Sequence, residues 1–334
     1  MGTRLTIFAG AGASKAVNSN EFPTTVEFFE RLPAEIQNDS FFQFAISFIR
    51  ETENPDQIDI EMVLWILENL RNDCVRVQSK GSITGRFFRS SLINEIIPRK
   101  NIGAFFDLNS GARSRLDSLI SSINEVVYDL YGYEPSEEEL KDNWLELLHH
   151  AEGAGESLEI FTTNYDAAIE TALDIRLGPD TAKEWRGVSG RIRQKLNLKE
   201  WAEIGARHST LTKLHGSLDW RRAGKEIHVG DSNFTGNHKN HAIIYPGFKG
   251  QSDNEFFSIF HNYLAKSIAE SSAIIFIGFA FRDEHINSII RENVTSSTDV
   301  YIINPNPTNF PSQRGRVKLI QSGFNKSAIS SIKF

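Results

Sequence analysis

Short apolar runs alternate with helical stretches along much of this chain. Examples are RLTIFA at residues 4–9, AIIFI at 273–277 and VYII at 300–303. A strand that is apolar on both faces has to be covered on both faces, as in a parallel sheet between two layers of helices. The pattern therefore predicts an α/β fold whose parallel sheet carries helices on both faces.

The second half of the chain repeats this alternation. Further strands of the same kind are predicted near residues 158–161, 210–214, 241–245 and 317–320, and a helix is predicted at 253–269. No internal repeat or low-complexity linker divides this half, so a single α/β domain accounts for it.

The stretch from about residue 26 to residue 150 has a helical period instead. Apolar residues recur at i, i+3 and i+4 in 41–50, 60–70 and 113–130. Ser136 and Glu139 have the spacing of a capping box ahead of a helix at 140–150. We therefore predict one domain of residues 1–334 with a helical insertion at approximately 26–150.

Charge and cysteine content limit the classes of partner. The 36 basic and 43 acidic side chains give a net charge of −7, which argues against broad contact with nucleic acid. The single cysteine, Cys74, excludes an internal disulfide and a four-cysteine zinc site. Residues 1–20 lack the features of a signal peptide, and no apolar run is long enough to span a membrane. We expect a soluble, cytoplasmic protein.

Small and polar residues follow the predicted strands. In an open parallel sheet, ligands bind beyond the carboxyl ends of the strands, on these turns. The turns read GAGAS at 10–14, TTNYD at 162–166, HGS at 215–217, GFAF at 278–281 and NPNP at 304–307. TTNYD stands where a simple strand-to-helix turn would have a glycine or a single cap, so its polar groups indicate a ligand.

Each motif also has a purely structural interpretation. Glycines in GAGAS would let a phosphate approach the backbone, but a tight turn needs them equally, and Lys15 breaks the dinucleotide fingerprint. Asn164 and Asp166 are favoured helix N-caps. A histidine before glycine, such as His215, is more often structural. Asp283 can be explained as an acidic residue at the start of a helix, where its charge complements the helix dipole.

Taken in chain order, the motifs GAGAS, TTNYD, LHGS, IGFAF and IINP resemble those of the sirtuin family. The resemblance covers roughly residues 4–25 and 158–305. It is to the sirtuin-like branch found in bacterial anti-phage defence systems rather than to the protein deacylases. It implies a Rossmann-like fold with an NAD site on these turns.

The resemblance also implies roles for individual residues. The family histidine that matches His215 contacts the ribose hydroxyls and acts as a general base. The amide that matches Asn164 lies beside the nicotinamide ribose, and the carboxylate that matches Asp166 meets the carboxamide. The implied NAD-binding residues are Gly10, Ala11, Gly12, Ser14, Thr162, Gly278 and Asn304.

Two departures from the family pattern oppose protein deacylation. The four cysteines of the deacylase zinc module are absent, and EFPTT at 21–25 replaces the family's Pro-Asp-Phe-Arg segment. The residues that match the NAD-facing positions are retained, and bacterial defence proteins of this branch hydrolyse NAD to nicotinamide and ADP-ribose. The resemblance therefore implies an NAD hydrolase with NAD as its substrate, no other cofactor and no zinc.

An uncontrolled NAD hydrolase would kill its host, and we expect no separate ligand-sensing domain in this chain. We therefore expect control through a homo-oligomer or through a partner chain. The family's stand-alone members imply a HerA-type hexameric ATPase, with a short Argonaute as the alternative. Two other functions stay open: a non-catalytic module that binds NAD or ADP-ribose, and a zinc-free protein deacylase or ADP-ribosyltransferase.

Overall fold

The computed structural model describes residues 4–52, 58, 60–78, 110–153, 157–189, 194–196, 209–223, 226–230, 241–243, 254–306 and 309–333. The chain forms two compact units. The sheet unit comprises Met1–Thr24 and Tyr128–Phe334, and the helical unit comprises Thr25–Val127. Residues 79–109 of the predicted insertion lie outside the described part. The single domain from end to end stays a prediction.

Eleven strands lie in the described part of the sheet unit. They are β1 (Arg4–Ala9), β2 (Ser157–Thr162), β3 (Val188–Ser189), β4 (Lys195–Leu196), β5 (Thr210–Lys213), β6 (Gly216–Ala223), β7 (Glu226–Val229), β8 (His241–Ile243), β9 (Ala273–Ile277), β10 (Asp299–Ile303) and β11 (Arg316–Ile320). Six of them form one sheet in the order β11-β10-β9-β1-β2-β5. Every neighbouring pair in this sheet is parallel.

The inner strands of the six-stranded sheet are buried on both faces, whereas the edge strand β11, predicted to be of the same kind, is largely exposed. Alternate residues of β1 enter different cores: Ile7 joins one apolar cluster and Phe8 the other. Neighbouring Ile275 and Phe276 on β9 divide in the same way. This alternation confirms the predicted α/β fold, in which a Rossmann-like parallel sheet is covered on both sides.

Helices occur in both units of the described chain. They are α1 (Ala11–Val17), α2 (Thr25–Arg31), α3 (Ala34–Gln37), α4 (Ser40–Thr52), α5 (Ile60–Gln78), α6 (Ser110–Tyr131), α7 (Glu137–Leu140), a π-helical segment (Lys141–Leu145), α8 (Glu146–Gly153), α9 (Ala168–Leu177), α10 (Pro179–Trp185), α11 (Asn254–Glu270), α12 (Glu284–Asn293) and α13 (Lys326–Ser330). None of these described helices is long and apolar enough to cross a membrane.

The helical unit contains α2 to α5 and most of α6. The predicted helices at 41–50, 60–70 and 113–130 lie within α4, α5 and α6 respectively. Aliphatic and aromatic side chains form its interior, among them Phe28, Phe42, Leu64, Leu67 and Leu116. In the sheet unit, the Ser136 side chain accepts from the Glu139 backbone N–H and Glu139 returns the bond, which confirms the predicted capping box.

The interpretation of residues 241–245 as a strand of the parallel sheet was wrong. His241–Ile243 forms β8 at the edge of a second sheet, with the order β3-β4-β7-β6-β8 and antiparallel pairing throughout. Its neighbour β6 begins at Gly216, inside the HGS segment at 215–217 that we interpreted as a turn. A short apolar run does not reveal which sheet it joins, because the partner strand decides that.

The point where the chain reverses direction across the sheet lies beside β1. From β1 the chain builds outward through β2 and β5, then returns to place β9 on the other side of β1. This is the strand order of a doubly wound dinucleotide-binding fold, and ligands in such folds bind at this reversal. The turns that flank it are GAGAS after β1 and GFAF after β9.

Backbone contacts between glycines close this junction. The Gly12 N–H donates to the Gly278 carbonyl over 3.0 Å, and the Gly10 N–H donates to the Ile277 carbonyl over 2.9 Å. A β-carbon on Gly278 would lie 2.4 Å from the backbone N of Ala13, and the Gly278 φ of 57° also disfavours a side chain. The glycines are therefore required by the contact between the two turns.

We expect Gly278→Ala to destabilise the sheet unit severely, because the methyl group meets rigid backbone. The matched control is Gly178→Ala, at another positive φ (80°) but with open space around the added atom. The control should cost about 1–3 kcal/mol in backbone strain. Gly278→Ala should cost at least about 2 kcal/mol more. Urea-induced unfolding followed by circular dichroism measures the free energy of unfolding of both variants. Equal losses would contradict the conclusion that the contact between the two turns requires glycine at position 278.

Candidate active site

Three polar side chains link the turns after β1 and β2. The Asn164 amide N–H groups donate to the Gly10 carbonyl over 2.9 Å and to Ser14 Oγ over 2.8 Å. Ser14 Oγ in turn donates to Asp166 Oδ2 over 2.7 Å. Ser14 and Asp166 are buried, and Asn164 is half-buried. Three of the predicted site residues are thus connected in one hydrogen-bonded chain.

Thr162 shapes the exit of β2. Its hydroxyl donates to the Ala9 carbonyl over 3.0 Å and accepts the Asn164 N–H over 3.0 Å. Because Thr162 is the last residue of β2 and Ala9 the last of β1, this hydroxyl ties the ends of adjacent strands together. It also sets the direction in which Asn164 leaves the strand.

Asp166 has a structural role as well. Its Oδ1 accepts the backbone N–H of Ala168, the first residue of α9, over 3.0 Å. The N-cap of α9 is Ala167, so the N-cap interpretation of Asp166 was wrong. One oxygen of Asp166 instead bonds the first helical N–H from the position before the cap, while the other faces Ser14. Each oxygen still has a second lone pair with which to accept from a ligand.

A buried ion pair also supports the turn after β2. The Lys213 ammonium lies 2.9 Å from Glu170 Oε1, donates to the Tyr165 carbonyl over 3.2 Å and also donates to the Asp166 carbonyl. Both charged side chains are almost fully buried. Lys213 ends β5, so it links the end of this strand to the turn after β2. Sequence reasoning did not single out this lysine.

His215 follows β5 and faces the start of α12. Its Nε2 lies 3.3 Å from Asp283 Oδ2, although the two residues are 68 positions apart in sequence. Burial raises the pKa of the Asp283 carboxyl, but the hydrogen bond and positive charge of His215, together with two helix amides, lower it to about 2. Asp283 is therefore an anion beside the imidazole at neutral pH.

Asp283 also caps α12, as its acidic helix-start position suggested. Its Oδ1 accepts the His285 N–H over 2.9 Å and the Ile286 N–H over 3.1 Å. The contact with His215 was missed because neither residue points to the other in the sequence. The only available signal was a carboxylate at the end of a turn that follows a buried strand.

Asn304 joins the turns after β9 and β10. Its amide donates to the Phe279 carbonyl over 3.3 Å, and its Oδ1 accepts the Asn306 N–H over 3.1 Å. Gly278 donates its own N–H to the Ile303 carbonyl over 2.9 Å. The turns after β1, β2, β9 and β10 therefore form a continuous hydrogen-bonded rim, and Asp283 brings His215 to the turn after β9.

The described residues contain no group of three His, Cys, Asp or Glu side chains that could hold a metal ion. The polar groups available at the rim are an amide, a carboxylate and a histidine–carboxylate pair. Such groups can position a water molecule or a hydroxyl and accept its proton. The fold and the rim together define a Rossmann-like α/β protein with a candidate site at the reversal beside β1.

Comparisons with known proteins specify the family. Residues 158–323 match the family model of the SIR2-like domain, and over these residues the chain is sirtuin-like. No curated protein matches it. A solved Sir2 homolog–NAD complex is 13% identical, with a TM-score of 0.42, and the match covers 99% of this chain and 89% of that one. A Sir2 enzyme solved for its mechanism and regulation is 12% identical, with a TM-score of 0.42 and coverage of 99% and 91%.

The buried ion pair between Lys213 and Glu170 can be compared with an exposed ion pair of the same length. Lys195 Nζ also lies 2.9 Å from a carboxylate, Glu226 Oε1, but both partners are about half exposed. We expect Lys213→Met to lower the free energy of unfolding by about 3–5 kcal/mol, because Glu170 is left charged and buried. Lys195→Met should change it by about 0–1 kcal/mol.

Urea unfolding midpoints and slopes for both variants measure this difference. Adding Glu170→Gln to Lys213→Met should recover part of the loss, because no unpaired charge then remains. The recovery should be incomplete, since the Tyr165 and Asp166 carbonyls still lack their donor. Equal costs for the buried and exposed lysines would contradict the support that we assign to Lys213.

Proposed function

We propose that this protein hydrolyses the nicotinamide N-glycosidic bond of NAD to give nicotinamide and ADP-ribose. The observation that carries the proposal is the placement of Asn164, Asp166 and His215. They follow the neighbouring strands β2 and β5, next to the glycine turn after β1. The match of residues 158–323 to the SIR2-like domain supports NAD as the ligand.

The chemistry of the bond agrees with these residue types. Its cleavage passes through an oxocarbenium-like state, as in glycoside hydrolysis. The electron pair of the C–N bond leaves with nicotinamide, which departs neutral and needs no strong general acid. A water oxygen then bonds to the ribose carbon and loses a proton. The protein has to hold the ribose, position the water and accept that proton.

We assign one task to each of the three side chains. His215 is the general base that accepts the proton. Asn164 positions the ribose and the water, and its connection to Gly10 and Ser14 holds the amide in a fixed orientation. Asp166 accepts from the nicotinamide carboxamide through the lone pairs that Ser14 and Ala168 leave available.

A binding module without turnover is the second candidate. One observation favours this candidate: both amide N–H groups of Asn164 already donate within the protein. An amide held in this way helps to bind a ribose even if no water is activated. NAD binding without release of nicotinamide distinguishes this candidate from the hydrolase.

We also propose that the hydrolase acts in anti-phage defence under the control of other chains. The motifs that resemble the defence branch support this role, and an NAD-depleting enzyme has to be restrained in a living cell. A homo-oligomer or a HerA-type hexameric ATPase would supply the control, with a short Argonaute as the alternative. Full turnover by the purified chain alone at cellular NAD concentrations would contradict the need for such control.

The hydrolase is tested by quantifying NAD, nicotinamide and ADP-ribose chromatographically. The wild type is assayed alone and with the product of a neighbouring ATPase gene. It should release nicotinamide and ADP-ribose in equal amounts, at a rate that differs between the two assays because the partner controls turnover. We expect His215→Ala to lower the rate at least about 100-fold, and Asn164→Ala to lower it about 100-fold or more. His149→Ala, exposed on α8, and Asn293→Ala, at the end of α12, are matched controls and should keep wild-type rates.

Three outcomes decide between the candidates. Loss of both products in the two site variants only would establish the hydrolase. Binding of NAD by calorimetry without any product would favour the binding module. Nicotinamide release that occurs only when an acylated peptide is added would instead favour a deacylase.

A further inference from the structure

We infer that Asp283 is a positioning residue that acts through His215, holding the imidazole in one orientation and stabilising its protonated form. The inference rests on the proposed function and deepens it, because it adds a second residue to the proton-accepting side of the site. Asp283 itself is not assigned any contact with NAD.

The two oxygens of Asp283 are divided between two tasks. Oδ1 accepts two backbone N–H groups at the start of α12, and Oδ2 lies 3.3 Å from His215 Nε2. The cap fixes the carboxylate on a helix, so the carboxylate in turn fixes the ring. A histidine on a turn, which has two rotatable side-chain bonds, gains a defined position from such a contact.

The pairing also determines where the proton sits. A carboxylate accepts but does not donate, so it selects the tautomer with the proton on Nε2. In the neutral ring the lone pair is then on Nδ1. Once the ring has accepted a proton, the anion attracts the resulting imidazolium. This attraction is strong because the side chains of His215 and Asp283 are only 7% and 16% exposed.

Other charged and titratable groups near this pair are engaged elsewhere. Lys213 pairs with Glu170, Asp166 accepts from Ser14, Glu284 pairs with Arg291, and His285 Nε2 lies 3.0 Å from His261 Nδ1. Among the described contacts, the carboxylate that faces the His215 imidazole is that of Asp283. A test of the pairing therefore has to remove the negative charge of Asp283.

Asp283→Asn separates the positioning role from the capping role. Asparagine caps helices about as well as aspartate, so α12 should stay intact while the negative charge is lost. We expect kcat for NAD cleavage to fall at least about ten-fold, with KM within about two-fold of wild type. Glu284→Gln is the matched control on the adjacent, exposed position, and it should leave both constants unchanged.

Dependence on His215 is measured by a double-mutant cycle. If Asp283 acts through the imidazole, Asp283→Asn should cause no further loss of rate in a His215→Ala background. Wild-type kcat in the single variant, or a full additional loss in the His215→Ala background, would overturn the inference. An unchanged urea unfolding midpoint in Asp283→Asn shows that the cap is retained.

A readout that does not need turnover keeps this test separate from the hydrolase itself. In ¹⁵N-histidine-labelled protein, the signal that disappears in His215→Ala belongs to His215. We expect that signal to report a proton on Nε2 and to shift in Asp283→Asn but not in Glu284→Gln. If the wild type cleaves no NAD, the proposed function fails while the shift still supports the pair. No shift in Asp283→Asn overturns the pair itself.

Discussion

The contact between the turns after β1 and β9 is the constraint on which the rest of the site depends. The Gly12 N–H reaches the Gly278 carbonyl because neither residue has a β-carbon to hold the two backbones apart. This contact lies where the strand order reverses, so it fixes the position of α1 and of the segment leading to α12. Ser14 and Asp283 take their places from these two elements, and through them the network reaches Asn164, Asp166 and His215.

Two sets of contacts hold the polar groups of the site. Ser14 connects Asn164 to Asp166. The buried ammonium of Lys213 donates to two carbonyl groups of the same turn and pairs with Glu170. A turn held by these contacts has little freedom to rearrange, which suits a site whose proposed chemistry depends on placing a water molecule against a ribose carbon.

Sequence patterns were sufficient for features that depend on local order. The bounds of β1 and β9 follow from continuous apolar runs, and the Ser136–Glu139 capping box follows from its spacing. The antiparallel sheet was not predicted, because the charged strand GSLDWRRA at 216–223 has no clear apolar pattern, even though its partner β7 follows after only two residues. The pairing of Asp283 with His215 was missed for a different reason: each residue has a sufficient local explanation, and only the fold brings them together.

The central position of β1 has a consequence for how the protein is made. Residues 4–9 pair with residues 157–162 on one side and with 273–277 on the other. At ordinary rates of translation, β9 follows β1 from the ribosome by roughly 10–60 s. Throughout that interval one side of β1 is an unpaired strand edge, which favours wrong association unless it is covered. The same delay means that a chain that stops before β9 and β10 cannot assemble the rim, so the synthesising cell meets a complete site only after residues 273–303 have left the ribosome.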